Sequence, residues 1–70
     1  MTAQQMFKKL GYMKEENNFY IRYRNEGKEI IFVFFKVETR AIIPSREIYR
    51  DEIKPFVQQC KELGWFSSTD

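Results

Sequence analysis

The chain has 70 residues, a net charge of +2, one Cys and no His. This length is sufficient for one small domain, which we place at residues 1–66, with a disordered tail at 67–70. A single Cys excludes an internal disulfide, and with no His the chain lacks the usual ligands of a zinc site. No apolar run approaches the roughly 20 residues of a membrane span, and the N-terminus has no secretory signal pattern. We therefore expect a cytoplasmic protein that does not enter the membrane.

Two helices are predicted, one near each end of the chain, and both end in the same way. Apolar residues recur at helical spacing over 3–10 and again over 53–63. Thr2 and Gln5 fit a capping box at the start of the first helix, and Pro55 suits a position in or near the first turn of the second. Gly11 and Gly64 each follow the last apolar turn and precede an aromatic residue. This pattern predicts that both helices stop in a Schellman motif.

The middle of the chain is typical of β-structure. Strands are predicted at 19–24, 28–36 and 39–43, whereas the polar segment 13–18 is predicted to be a loop. Residues 47–50 fit either an extension of the sheet or the start of the second helix. The predicted fold class is therefore α+β, in the order α-β-β-β-α, with a three-stranded antiparallel meander and both helices packed on one face.

The pairing register of the first two strands remains open, and it decides which residues lie opposite the helices. If Arg22 faces Ile30, then Tyr20, Arg22 and Arg24 share their face with Phe32 and Phe34. If the register slips by one residue, these three residues share their face with Ile31, Val33 and Phe35. Only the first arrangement forms a platform rich in aromatic side chains.

Three segments of the chain, 6–12, 20–23 and 58–65, follow one another in this order along most of its length. On these segments the chain resembles a group of small uncharacterised proteins from phages and prophages of Gram-positive bacteria. The central segment 30–35 and Pro55 depart from the pattern of the group. The resemblance implies a small helix–sheet–helix domain and no assigned activity.

The residues favour no catalytic chemistry. General acid–base catalysis usually requires His, or carboxylates whose pKa values are shifted apart. The acidic pairs Glu15–Glu16 and Asp51–Glu52 are predicted to be solvated charges or charges at a helix start. Cys60 lies on the apolar stripe of the second helix and is predicted to be a buried structural residue. We therefore expect no enzyme, no cofactor, no metal site and no small-molecule substrate.

The remaining interpretation is a binding module, whose partner is either a protein or a single-stranded nucleic acid. The central strand has apolar residues on both faces, so helices on one side leave apolar residues exposed on the other. This favours self-association as a homodimer, or capture of a host or phage protein, through the sheet face. The alternative is binding of single-stranded nucleic acid, because aromatic and Arg side chains on a sheet face can stack on bases. A further alternative is that Trp65 and Phe66 fold over the exposed patch. The predicted interaction face consists of Tyr20, Arg22, Arg24, Phe32 and Phe34.

Overall fold

The fold is taken from a computed structural model that describes residues 1–25, 27, 30–44 and 47–66. In chain order the elements are α1 (Ala3–Lys9), β1 (Met13–Glu16), β2 (Tyr20–Asn25), β3 (Ile30–Phe35), β4 (Ala41–Ile42) and α2 (Arg50–Glu62). The strands form an antiparallel sheet in the order β1-β2-β3-β4. The α+β class is confirmed. The predicted tail at 67–70 and the first two residues of the strand predicted at 28–36 lie outside the described residues.

The prediction of three strands is wrong, because the segment predicted as a loop forms the edge strand β1. Its sequence is Met-Lys-Glu-Glu, and acidic and lysine side chains are depleted in strands. The strand pairs along its whole length with β2, from Met13 opposite Arg24 to Glu16 opposite Ile21. Cross-strand contacts between opposite charges stabilise such a strand, and they cannot be recognised from the segment alone.

The helix ends agree with the sequence prediction. The Thr2 hydroxyl accepts a hydrogen bond from the Gln5 backbone N–H, and the Gln5 side chain accepts one from the Thr2 N–H. At the other end of α1, Gly11 has a φ of 92° and its N–H donates to the Lys8 carbonyl. The Tyr12 N–H donates to the Phe7 carbonyl. These two bonds define a Schellman motif, and the same pair of bonds occurs around Gly64 at the end of α2.

The start of α2 resolves the ambiguity at 47–50, since the helix begins at Arg50 and the three residues before it have no regular structure. Glu52 lies in the first turn, as expected, but it is buried rather than solvated. One of its carboxylate oxygens accepts from the Tyr49 N–H at 3.1 Å, and the other accepts from the Tyr12 hydroxyl at 2.9 Å. Pro55 is the sixth residue of the helix, one or two positions later than predicted, and its ring is buried.

The core lies between the sheet and the two helices. Phe7 of α1 stacks on Tyr23 with ring centroids 4.0 Å apart and lies 5.3 Å from Phe32. Phe56 of α2 lies 6.2 Å from Phe32 and 5.2 Å from Phe34. Both helices therefore contact the same face of the sheet. Aromatic rings supply most of this core, because they bury a large area per residue in a short chain.

The register of β2 and β3 differs from the arrangement that forms the aromatic platform. Arg22 lies opposite Val33 rather than Ile30, and the ladder runs from Tyr20 opposite Phe35 to Asn25 opposite Ile30. A shift by an odd number of residues exchanges the two faces of a strand. Phe32 and Phe34 therefore point toward the helices, where both are completely buried.

Candidate interaction face

The side of the sheet turned away from the helices is called here the open face. Cross-strand pairs place Glu15 beside Arg22, Arg22 beside Val33, and Val33 beside Ile42. Because directly paired side chains point to the same side, these residues form one row across all four strands. The described strand residues of the open face are Met13, Glu15, Tyr20, Arg22, Arg24, Ile31, Val33, Phe35 and Ile42.

Three of the five residues predicted to form the interaction face lie together on the open face. They are Tyr20, Arg22 and Arg24, at alternate positions of β2. The assignment of Phe32 and Phe34 to this face is wrong, since the register directs both rings into the core. The open face is therefore less aromatic than the predicted platform. Its β3 residues are Ile31, Val33 and Phe35.

A carboxylate from β1 lies against the arginines of β2. Glu15 Oε1 accepts a hydrogen bond from Arg22 Nε at 2.6 Å, and Glu15 Oε2 lies 3.2 Å from Arg24 Nη2. Glu15 was expected to be solvated, but it bridges two guanidinium groups. The sequence prediction missed this contact because it treated residues 13–18 as a loop. The consecutive residues Glu15 and Glu16 show no alternation that could have indicated a paired strand.

Four apolar residues, here called the apolar band, occupy the β3–β4 half of the open face: Ile31, Val33, Phe35 and Ile42. Ile31 is 38% exposed and Ile42 is 50% exposed, while the other two are half-buried. Trp65 does not cover the band, because its ring lies 6.2 Å from Phe34 on the opposite side of the sheet. Phe66 is itself 58% exposed. The band is thus an accessible apolar surface on a sheet face.

An aromatic group lies at one end of the apolar band. The rings of Tyr20 and Phe35 meet edge to face with centroids 6.4 Å apart. The guanidinium carbon of Arg40, just before β4, lies 3.9 Å from the centroid of the Phe35 ring, which is a cation–π contact. Arg40 Nε also donates to Glu38 at 3.1 Å. One face of the Phe35 ring is therefore already occupied by a side chain of the same molecule.

A second carboxylate of β1, Glu16, pairs with lysines at the sheet edge. Its oxygens lie 2.5 Å from Lys36 Nζ and 3.3 Å from Lys14 Nζ. The hydrogen bond from Lys36 is the largest cause that lowers the pKa of Glu16 below its usual value of 4.5, and Lys14 adds to it. A depressed pKa means that this carboxylate stabilises the fold above pH 4.5 and that the contribution disappears as the pH falls through the folded-state value.

We therefore expect Glu16→Gln to reduce the loss of stability on acidification. The free energy of unfolding of the variant should fall less steeply than that of the wild type below pH 4.5. The effect should be small because Glu16 is exposed. Urea titrations at a series of pH values measure it, and Lys36→Gln should reduce the same slope. Identical acid profiles for wild type and Glu16→Gln would contradict this assignment.

Two titratable side chains, those of Cys60 and Tyr23, are packed in the core. Cys60 is 3% exposed within the hydrophobic cluster, and burial raises the pKa of its thiol. The Tyr23 hydroxyl donates to Gln59 Oε1 in the core, and burial is the main cause that raises the pKa of Tyr23. Among the described residues, no three His, Cys, Asp or Glu side chains lie close enough together to hold a metal ion.

Comparisons of the chain with protein-family models, with curated proteins and with solved structures found no match. Within the described part of the chain, no helix has both the length and the apolar character needed to cross a lipid bilayer.

Proposed function

We propose that the chain is a protein-binding module that acts through the open face, by self-association or by capture of another protein. The observation that carries this proposal is the apolar band, which lies on the side of the sheet opposite both helices. Contiguous apolar surface of this kind on a small domain usually belongs to an interface. The position of Trp65 against Phe34 supports the proposal, because it leaves the band accessible.

Binding of single-stranded nucleic acid through Tyr20, Arg22 and Arg24 is the second candidate. It needs aromatic faces for bases and cations for phosphates. The geometry supports it less well than protein binding. Glu15 contacts both arginines, and Arg40 covers one side of the Phe35 ring.

The remaining features of the proposal come from the sequence alone. The resemblance to small phage and prophage proteins suggests a partner from the phage or from its host. The single buried Cys60 is compatible with a reducing cytoplasm. We propose no enzymatic activity and no small-molecule substrate or cofactor for this domain.

The proposal is tested by amide chemical shifts of the labelled protein in three titrations: its own dilution, a panel of amphipathic peptides, and a pool of short single-stranded DNA and RNA. We expect shifts at Ile31, Val33 and Phe35 in the first or the second titration, with little dependence on salt. The double variant Ile31→Thr and Ile42→Thr should remove these shifts, because threonine keeps the β-branched shape of isoleucine but removes apolar area.

The matched control is Ile53→Gln, which removes a 47% exposed isoleucine from α2 and should leave the open-face shifts unchanged. Shifts that arise only with oligonucleotides and that salt reverses would replace the proposal with the second candidate. Shifts on another surface, or none in any titration, would contradict both.

A further inference from the structure

We infer that the outer surface of the two helices binds the phosphate backbone of double-stranded nucleic acid without reading its sequence. This surface of α1 and α2, called here the helix surface, lies on the side of the sheet opposite the open face. Binding there is a second function, separate from protein binding through the open face.

The basic side chains of the sheet and those of the helices differ in their partners. The described Lys and Arg residues of the strands and their connections all form ion pairs: Lys14, Arg22, Arg24, Lys36 and Arg40. The helices have five exposed basic residues, and in the described part of the chain none of them forms an ion pair: Lys8, Lys9, Arg50, Lys54 and Lys61. A phosphate therefore gains most from the helix surface, where it does not have to compete with a carboxylate already in place.

The two helices lie side by side and run antiparallel. The Ala3 N–H donates to Glu62 Oε2 at 2.7 Å, which joins the start of α1 to the end of α2. At the other end of the pair, Lys9 of α1 and Lys54 of α2 line one surface depression of about 320 Å³. The cations of both helices thus belong to one continuous surface.

The basic residues of α2 form a straight stripe. Arg50, Lys54 and Lys61 are separated by four and seven positions, spacings that place side chains on one face of a helix. At ~1.5 Å per residue the stripe is about 16 Å long. On α1, Lys9 lies toward α2 and Lys8 toward β1. The helix surface is a rigid array of positive charge.

A nucleic acid duplex has the charge density and the stiffness that match this array. Duplex DNA carries one phosphate charge per ~1.7 Å of its axis, twice the density of one of its strands, so roughly nine charges face a 16 Å stripe. Phosphate oxygens also accept hydrogen bonds from amide side chains. Gln4 is exposed on α1, one turn before Lys8.

The uncharged residues of the helix surface disfavour other anionic partners. Within α1 and α2, which are described from end to end, Ile53 is the only large apolar side chain that is well exposed. An anionic membrane binds helices that insert an apolar stripe, and protein interfaces are held by buried apolar or aromatic anchors. Neither Phe7 nor Phe56, the aromatic residues of the helices, is exposed for stacking on the bases of a single strand.

One carboxylate interrupts the array. Asp51 is exposed and lines the same depression as Lys9 and Lys54, so it repels a phosphate placed there. Glu62, the other exposed carboxylate of the helices, accepts hydrogen bonds from the Ala3 N–H and from Gln58. Removal of the Asp51 charge should therefore strengthen duplex binding, an effect that a purely structural role of this residue does not produce.

The test is fluorescence anisotropy of a labelled DNA duplex of arbitrary sequence, titrated with the full chain at several salt concentrations. We expect a dissociation constant of about 10⁻⁴–10⁻⁶ M and a slope of about −3 to −4 for log affinity against log salt. A duplex of different sequence should bind equally. Amide shifts of the labelled protein should lie in α1 and α2.

Variants of the helix surface change this affinity in both directions. Lys9→Gln with Lys54→Gln should weaken duplex binding about tenfold and reduce the salt slope by about two, because two phosphate contacts are lost. Asp51→Asn should tighten binding about threefold.

The matched control is Arg24→Gln with Arg40→Gln, which removes the same net charge from paired residues of the sheet. It should change the affinity less than about twofold, since charges more than ~8 Å away are screened at physiological salt. Circular dichroism verifies that each variant is folded.

Three results would overturn the inference: no duplex binding, a salt slope near zero, or equal losses in the lysine pair and in the control pair. Tighter binding at the helix surface by a polyglutamate peptide, by vesicles of an anionic phospholipid or by a single-stranded oligonucleotide would also overturn it. The open face takes no part in these measurements, so their failure leaves the proposed protein binding in place.

Discussion

Phe34→Ala is expected to destabilise the fold by about 3–5 kcal/mol, the usual cost of removing a completely buried phenylalanine from a core. The Phe34 ring contacts Phe7 of α1, Phe56 of α2 and Trp65, so its loss leaves a cavity where both helices meet the sheet. Domains of this size rarely exceed about 3–5 kcal/mol of stability. The variant should therefore be largely unfolded at room temperature, which circular dichroism and urea titration measure.

Phe35, the next residue in the chain, provides the control for Phe34→Ala. Phe35→Ala removes the same ring from the open face, where Phe35 is half-buried and contacts Tyr20 and Arg40. We expect a loss of only about 1 kcal/mol. Similar losses at the two positions would contradict the register of β2 and β3, because that register alone separates the core ring from the exposed ring.

Gln59→Leu is expected to cost about 1–3 kcal/mol, since it removes the acceptor of the Tyr23 hydroxyl within the core. Tyr23 is 1% exposed and Gln59 is 3% exposed, so solvent does not readily replace the lost bond. Addition of Tyr23→Phe to the Gln59→Leu variant should recover most of the loss, because the pair is then apolar on both sides.

A double-mutant cycle measures this coupling between β2 and α2. The free energies of unfolding of the wild type, the two single variants and the double variant should be clearly non-additive. Additive losses would show that Tyr23 and Gln59 do not depend on each other, and the hydrogen bond between them would then have no energetic role.

Local features of the chain were predictable because their causes lie within a few residues. The capping box of Thr2 and Gln5 and the stops at Gly11 and Gly64 depend on bonds between residues at most five positions apart. The apolar stripes of both helices follow from the helical period. These features correctly predict the fold class and the position of the second helix to within one or two residues.

The open face was predictable only in part. Alternation along β2 places Tyr20, Arg22 and Arg24 on one side in either register, and the structure confirms that they share a face. The partner residues on β3 depend on how many residues connect the two strands. The observed register places Ile31, Val33 and Phe35 on the open face instead of Phe32 and Phe34. The open face is therefore an apolar band rather than an aromatic platform.

The two helices, their ends and the β-character of the middle segment can be predicted from the residues alone, because the contacts that stabilise them are local. The three-dimensional fold is needed to recognise that Met13–Glu16 is a strand and that Glu15 bridges Arg22 and Arg24. Cross-strand pairing and side-chain burial join residues that are distant in the chain. Local propensity contains no information about which distant residues will meet.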